Sequence, residues 1–68
     1  MRPFERRAAN AYPYFKLAVW DAARFTWRTG KHTFPTEEAA RQSAPRGARC
    51  RVSRIDEYGA TELDPFLA

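Results

Sequence analysis

The chain has 68 residues and a formal net charge of +4, and 44% of its residues are hydrophobic and 15% aromatic. This length suits one small domain, and the composition is that of a folded chain, not a disordered one. So short a chain leaves little room for a deep pocket between two subdomains, which argues against most classes of enzyme.

The charge is unevenly distributed along the sequence. All 12 Lys and Arg residues lie between Arg2 and Arg54, and the first 55 residues carry a net charge of +8. The last 13 residues carry no cation and four acids, Asp56, Glu57, Glu62 and Asp64. A basic body of this kind indicates either a polyanionic partner or an ordinary solvated surface.

Residues 1–13 are predicted to form a flexible basic arm, followed by a single domain over residues 14–68. The arm carries Arg2, Arg6 and Arg7, which are candidates for phosphate contacts. No apolar segment follows these charges, so no secretory signal is predicted, and no apolar run is long enough to span a bilayer. With a single cysteine, Cys50, these features favour a cytoplasmic location.

The first predicted element is a strand over Tyr14–Asp21, in which apolar residues alternate with others. Its core-facing residues are predicted to be Phe15, Leu17 and Val19. Its outward-facing residues are then Tyr14, Lys16, Ala18 and Trp20. A turn at Asp21-Ala22-Ala23 is expected to follow this strand.

The second predicted strand covers Arg24–Phe34 and forms a hairpin with the first. Phe25 and Trp27 are expected on its apolar face, and Arg24, Thr26 and Arg28 on the other. Gly30 interrupts the alternation and indicates a bulge, which would let Phe34 point inward.

A helix is predicted from Thr36 to about Ala44, ending before Pro45. Thr36 suits the N-cap position, and the following Glu37 and Glu38 would interact favourably with the helix dipole. Beyond the helix, a third strand is predicted over Ala48–Asp56, with an irregularity near Ser53-Arg54 because Ile55 breaks its alternation. A turn at Glu57–Gly59 and a short fourth strand at Ala60–Leu63 complete a ββαβ(β) domain of the α+β class.

A single helix can cover one face of the sheet, so the opposite face is expected to meet solvent or a partner. Cations and aromatic residues alternate on that face, which suits phosphate neutralisation and base stacking, and also suits a protein interface. A plain solvated sheet is the remaining interpretation. The candidate binding residues are Lys16, Trp20, Arg24, Arg28, Arg49 and Arg51.

Catalytic chemistry has little support in the sequence. His32 is the only histidine and has only Lys31 and Thr33 beside it, so no catalytic residue, metal site or cofactor is predicted. Cys50 is predicted to face the core with Val52, and an intermolecular disulfide through Cys50 is the less favoured alternative.

The stretch from Trp27 to Ala40, WRTGKHTFPTEEAA, resembles the strand-to-helix junction of AP2-like and integrase arm-binding domains. That resemblance implies a small sheet placed against DNA, with a helix behind it. In size and lack of motifs, the whole chain is similar to small orphan proteins of phages and mobile elements, some of which are anti-CRISPR inhibitors.

Three functions therefore remain open. The first is a non-enzymatic binder of nucleic acid or a nucleoprotein complex, and the second is a phage-type stoichiometric inhibitor of a host protein complex. The third is a domain that associates with a second copy through a strand edge or Cys50, which would make it a homodimer instead of a monomer. None of the three requires a membrane.

Overall fold

A computed structural model describes residues 12–68, in which an antiparallel sheet dominates and the only helix of that part has six residues. The predicted α+β class is therefore wrong, because the fold is mostly β and its sheet curls into a half-barrel. The order of elements agrees with the ββαβ(β) prediction. They are β1 (Tyr14–Asp21), β2 (Thr26–Thr29), α1 (Glu37–Gln42), β3 (Arg49–Asp56), β4 (Gly59–Glu62) and β5 (Phe66–Leu67).

Two long strands, β1 and β3, form the centre of the sheet, and shorter strands flank them in the order β2-β1-β3-β4. Each flanking strand is interrupted. Beyond β2, the chain leaves β1 and returns at Phe34, which pairs with Phe15. Beyond β4, the Leu63 amide donates to the Val52 carbonyl at 2.9 Å, and β5 then pairs with the start of β3.

The core lies between α1 and one face of β1 and β3. On β1 this face carries Phe15, Leu17 and Val19, as predicted, and register places Val52 opposite Leu17 and Cys50 opposite Val19. Val52, Cys50 and Ala40 of the helix are essentially inaccessible to solvent. Alternation therefore identified Cys50 and Val52 of the core, but it missed the burial of Ala18, which was expected to face outward and is only 3% exposed.

The helix begins where the sequence predicts, and it ends earlier. The Thr36 hydroxyl accepts a hydrogen bond from the Ala39 amide at 3.1 Å, so the predicted N-cap is confirmed. The helix stops at Gln42 with Ser43 as its C-cap, short of the predicted end at Ala44. With fewer than two turns, it covers only part of its side of the sheet.

The β1–β2 turn is one residue longer than predicted, and β2 covers Thr26–Thr29 instead of Arg24–Phe34. Asp21 pairs with Thr26, so four residues form the connection instead of the predicted three. The last of them, Phe25, has a φ of 52°, in the left-handed region. The additional residue reverses the faces of β2, which places Trp27 opposite Trp20 and Arg28 opposite Val19.

The predicted irregularity in β3 is absent. The strand pairs regularly with β1 and β4, and Ile55 lies opposite Tyr14 and Ala60 on the face away from the helix. The β3–β4 turn forms near its predicted position, where the Tyr58 amide donates to the Asp56 carboxylate at 2.8 Å. Within residues 12–68, no helix has the length and hydropathy needed to cross a membrane.

Candidate functional site

The candidate site is the face of the sheet opposite α1, called here the outer face. Residues that pair directly across antiparallel strands point to the same side, so register identifies its members. At one end of this face, Trp20 of β1 lies opposite Trp27 of β2. Val19 of β1 pairs with Cys50 of β3, so the adjacent residues Trp20 and Arg49 are neighbours at the same end. Tyr14 and Ile55 lie together at the other end.

At the hairpin end of the outer face, three aromatic rings make contact. Trp20 and Trp27 meet edge to face with ring centroids 5.3 Å apart, and Trp20 meets Phe25 in the same manner at 6.3 Å. Trp20 and Trp27 are half-buried, while Phe25 is 82% exposed. In this hairpin aromatic cluster (Trp20, Phe25 and Trp27), the two tryptophans are held by packing, while Phe25 is exposed at the edge.

Arg51 crosses the middle of the outer face. Its guanidinium lies 4.4 Å from the centroid of the Trp27 ring and 3.1 Å from the Glu62 carboxylate. Between Arg51 on β3 and Trp27 on β2 lies Ala18 of β1, which is only 3% exposed. The small side chain of Ala18 leaves room for Arg51 to reach across β1 and connect both flanking strands.

A second pair of rings and a lysine occupy the other half of the outer face. Tyr12 and Tyr14 stack with ring centroids 5.7 Å apart, and this tyrosine pair adjoins the start of β1. Lys16 lies between the tyrosine pair and Ala18, opposite Ser53. Among residues 12–68, neither Lys16 nor Arg49 forms an ion pair, so both ammonium and guanidinium charges remain available to a ligand.

The prediction that Arg24 and Arg28 lie on the outer face is wrong. Arg24 lies in the turn before β2, and Arg28 lies on the helix side because the hairpin register pairs it with Val19. Both approach Asp21, with nitrogen-to-oxygen distances of 3.2 Å for Arg24 and 3.6 Å for Arg28. Their role in the structure is to fix the hairpin.

Asp21 gathers these two cations and the amides of the turn. Burial alone would raise the pKa of Asp21, but hydrogen bonds from Arg24 and Ala23 and the charge of Arg28 outweigh it. The pKa of Asp21 therefore lies below its ordinary value of 3.8. A carboxylate held this way stays ionised at neutral pH and keeps the turn closed.

The acidic end of the chain folds back onto β3. Glu62 pairs with Arg51, and Asp56 lies 3.6 Å from Arg54. Acidic residues near the end of the chain are thus paired with cations of β3, so positive and negative charges are less separated in the fold than along the sequence. The cations without an ion pair within the described residues lie on β1, at the start of β3 and in loops.

The sequence did not predict two aromatic residues of the outer face, Phe25 and Trp27, because both were expected on the core-facing side of β2. Phe25 lies instead in the turn and is 82% exposed. Strict alternation from a three-residue turn assigned Trp27 to the core, whereas the register places Trp27 beside Trp20. The available signal was its match with Trp20, since aromatic pairs are favoured directly across antiparallel strands.

Cys50 faces the core, as predicted. It is fully buried, its thiol lies 3.6 Å from the Ala48 carbonyl, and burial raises its pKa. A buried, protonated thiol is neither nucleophilic nor accessible to a second chain, so the alternative of an intermolecular disulfide would require β3 to open.

On the helix side, the sheet that α1 leaves uncovered forms a groove of about 460 Å³. Leu17, Val19 and Phe34 line it together with Arg28 and His32. Within the described part of the chain, no carboxylate lines the groove, and no three His, Cys, Asp or Glu residues lie close enough to hold a metal ion. The predicted arm residues Arg2, Arg6 and Arg7 lie outside the described residues.

Comparison with known proteins identifies no relative of this chain. No protein-family model, no curated protein and no solved structure matches it.

Proposed function

We propose that this chain is a non-enzymatic binding protein whose outer face binds nucleic acid. The observation that carries the proposal is the arrangement of that face, in which aromatic rings and cations occupy one continuous surface across three strands. Its rings are the hairpin aromatic cluster and the tyrosine pair, and its cations are Lys16, Arg49 and Arg51.

Each component matches a part of a nucleic acid. A Lys or Arg that neutralises a phosphate releases condensed counterions, which drives binding regardless of sequence. Aromatic rings stack on bases, and each base stacked contributes about 1–3 kcal/mol.

Electrostatics favour an anionic ligand on this face. Lys16, Arg49 and Arg51 share it with one acid among the strand residues, Glu62, which is already paired with Arg51. The charges of Lys16 and Arg49 therefore remain on the outer face after that pairing.

Direct binding experiments test the proposal. The only two tryptophans of the chain belong to the hairpin aromatic cluster, so intrinsic fluorescence reports on the outer face itself. We expect oligonucleotides to quench this fluorescence, and the double variant Lys16→Ala/Arg49→Ala to bind at least tenfold more weakly. The matched control is Lys31→Ala/Arg46→Ala, which removes the same charges from exposed loops.

Equal losses in the two double variants would mean that net charge alone drives binding, which would refute a role for the outer face. The same measurements distinguish the other expected partners. A host protein complex with an apolar contact would bind with little salt dependence, whereas association with a second copy would appear as a concentration-dependent mass in sedimentation.

A further inference from the structure

Phe25 is placed where both its backbone and its side chain are unfavourable. Its φ of 52° lies in the left-handed region, which is rare for bulky residues and readily adopted by Gly or Asn. Its ring is 82% exposed to solvent. The chain thus keeps an apolar ring at a turn position that a small or polar residue would occupy more easily, and such strain is concentrated at functional sites.

The contacts of Phe25 indicate what its ring can do. It touches the ring of Trp20 with an interplanar angle of 70°, and Trp20 in turn touches Trp27 at 64°. The guanidinium of Arg51 covers one face of the Trp27 ring, whereas Phe25 is 82% exposed, so Phe25 is the member of the cluster most open to a ligand. An exposed aromatic ring such as that of Phe25, at the edge of a packed cluster, is suited to stacking on a planar group.

The remaining features of the outer face lie along the same line. From Trp20 to Tyr14 there are six residues of β1, a separation of about 20 Å. Lys16 lies between these two aromatic positions, and Arg49 lies beside Trp20. The outer face is therefore long enough to contact several successive nucleotides of an extended strand, with a cation between its two aromatic ends.

We infer that the hairpin aromatic cluster stacks on unpaired bases, so that the nucleic acid bound by the outer face is single-stranded. This inference rests on the proposed function. In a duplex the base faces are covered by neighbouring bases and the rings would meet only sugars and phosphates, whereas unpaired bases can be splayed onto aromatic side chains.

The test compares Phe25→Asn with the full-length wild type, using a single-stranded oligodeoxynucleotide of mixed sequence and the duplex of that sequence. We expect the wild type to bind the single strand at least tenfold more tightly than the duplex. We expect Phe25→Asn to lose about tenfold in affinity for the single strand, the value of one stacked base. Its urea midpoint should be unchanged or higher, because Asn tolerates the left-handed backbone.

Tyr58→Asn is the matched control, since Tyr58 is an equally exposed aromatic residue in the other hairpin turn, away from the cluster. Equal binding of single strand and duplex, or full binding by Phe25→Asn, would overturn the inference and leave the proposed function standing. Failure of the wild type to bind either oligonucleotide would overturn both. A lower urea midpoint for Phe25→Asn with unchanged binding would show that Phe25 serves packing only.

Discussion

The salt dependence of binding can be worked out from the cations of the outer face. Each phosphate neutralised on a single strand contributes about −0.7 to the slope of log K against log salt concentration. Arg51 is already paired with Glu62, so Lys16 and Arg49 are the cations counted; if each neutralises one phosphate, the slope is about −1.4. Raising the salt from about 50 to about 200 mM should then weaken binding about sevenfold.

Lys16→Ala is the informative perturbation. Lys16 has no ion pair among the described residues, whereas Arg51 also contacts Trp27 and Glu62, so replacing Arg51 would alter the fold as well as the charge. Loss of Lys16 should bring the slope to about −0.7 and the weakening over that range to about threefold. Lys31→Ala, in the exposed loop after β2, should leave the slope at about −1.4.

The assay is a fluorescence titration with oligothymidylate at four or more salt concentrations for each variant. A slope near zero for the wild type would refute phosphate binding altogether. Equal reductions in the slope for Lys16→Ala and Lys31→Ala would refute the assignment of those contacts to the outer face, and would leave only the net charge as the cause.

Three further predictions concern stability and reactivity. Thr36→Ala removes the hydroxyl that accepts from the Ala39 amide and should cost about 1 kcal/mol in urea unfolding, with Thr36→Ser close to wild type. The lowered pKa of Asp21 stabilises the folded state above its unfolded value near 3.8, and this contribution is lost as pH falls through the folded pKa. Thermal unfolding of Asp21→Asn should therefore depend less on pH below about 4 than that of wild type; parallel curves would contradict the role given to Asp21. Cys50 should react with a thiol reagent only at the rate at which β3 opens, so rapid labelling of the native protein would contradict its burial.

The sequence predicted the central strands and the start of the helix because their signals are local. Alternation identified β1 within its observed bounds, and the Thr36 cap with its two following glutamates identified the start of α1. Cys50 and Val52 were assigned to the core by the same alternation. Each of these assignments depends on residues adjacent in sequence.

The hairpin could not be predicted in this way, because its register depends on the length of a turn that carries no turn-forming residue beyond Asp21. Phe25 adopts the left-handed conformation without being Gly or Asn, so the four-residue connection has no sequence signal. Because of this turn, Arg28 lies on the helix side and Trp27 lies on the outer face. The hairpin aromatic cluster therefore depends on a turn that the sequence did not predict.

The irregularity predicted near Ile55 is a second feature that the strand does not have. Its position was interpreted as a disrupted strand because an apolar residue was expected to face the core. The outer face is itself partly apolar, and Ile55 lies there opposite Tyr14 and Ala60 in an undisturbed ladder. When both faces of a sheet carry apolar residues, alternation in the sequence no longer shows which face packs against the core.

The interrupted strands that flank β1 and β3 also affect how copies of the chain meet. A long continuous edge offers unpaired amides and carbonyls to another sheet and acts as a template for aggregation. Here β2 and β4 have four residues each and β5 has two, with a break between each stretch. A small protein that leaves one face of its sheet open is thereby protected against uncontrolled strand addition along its sides.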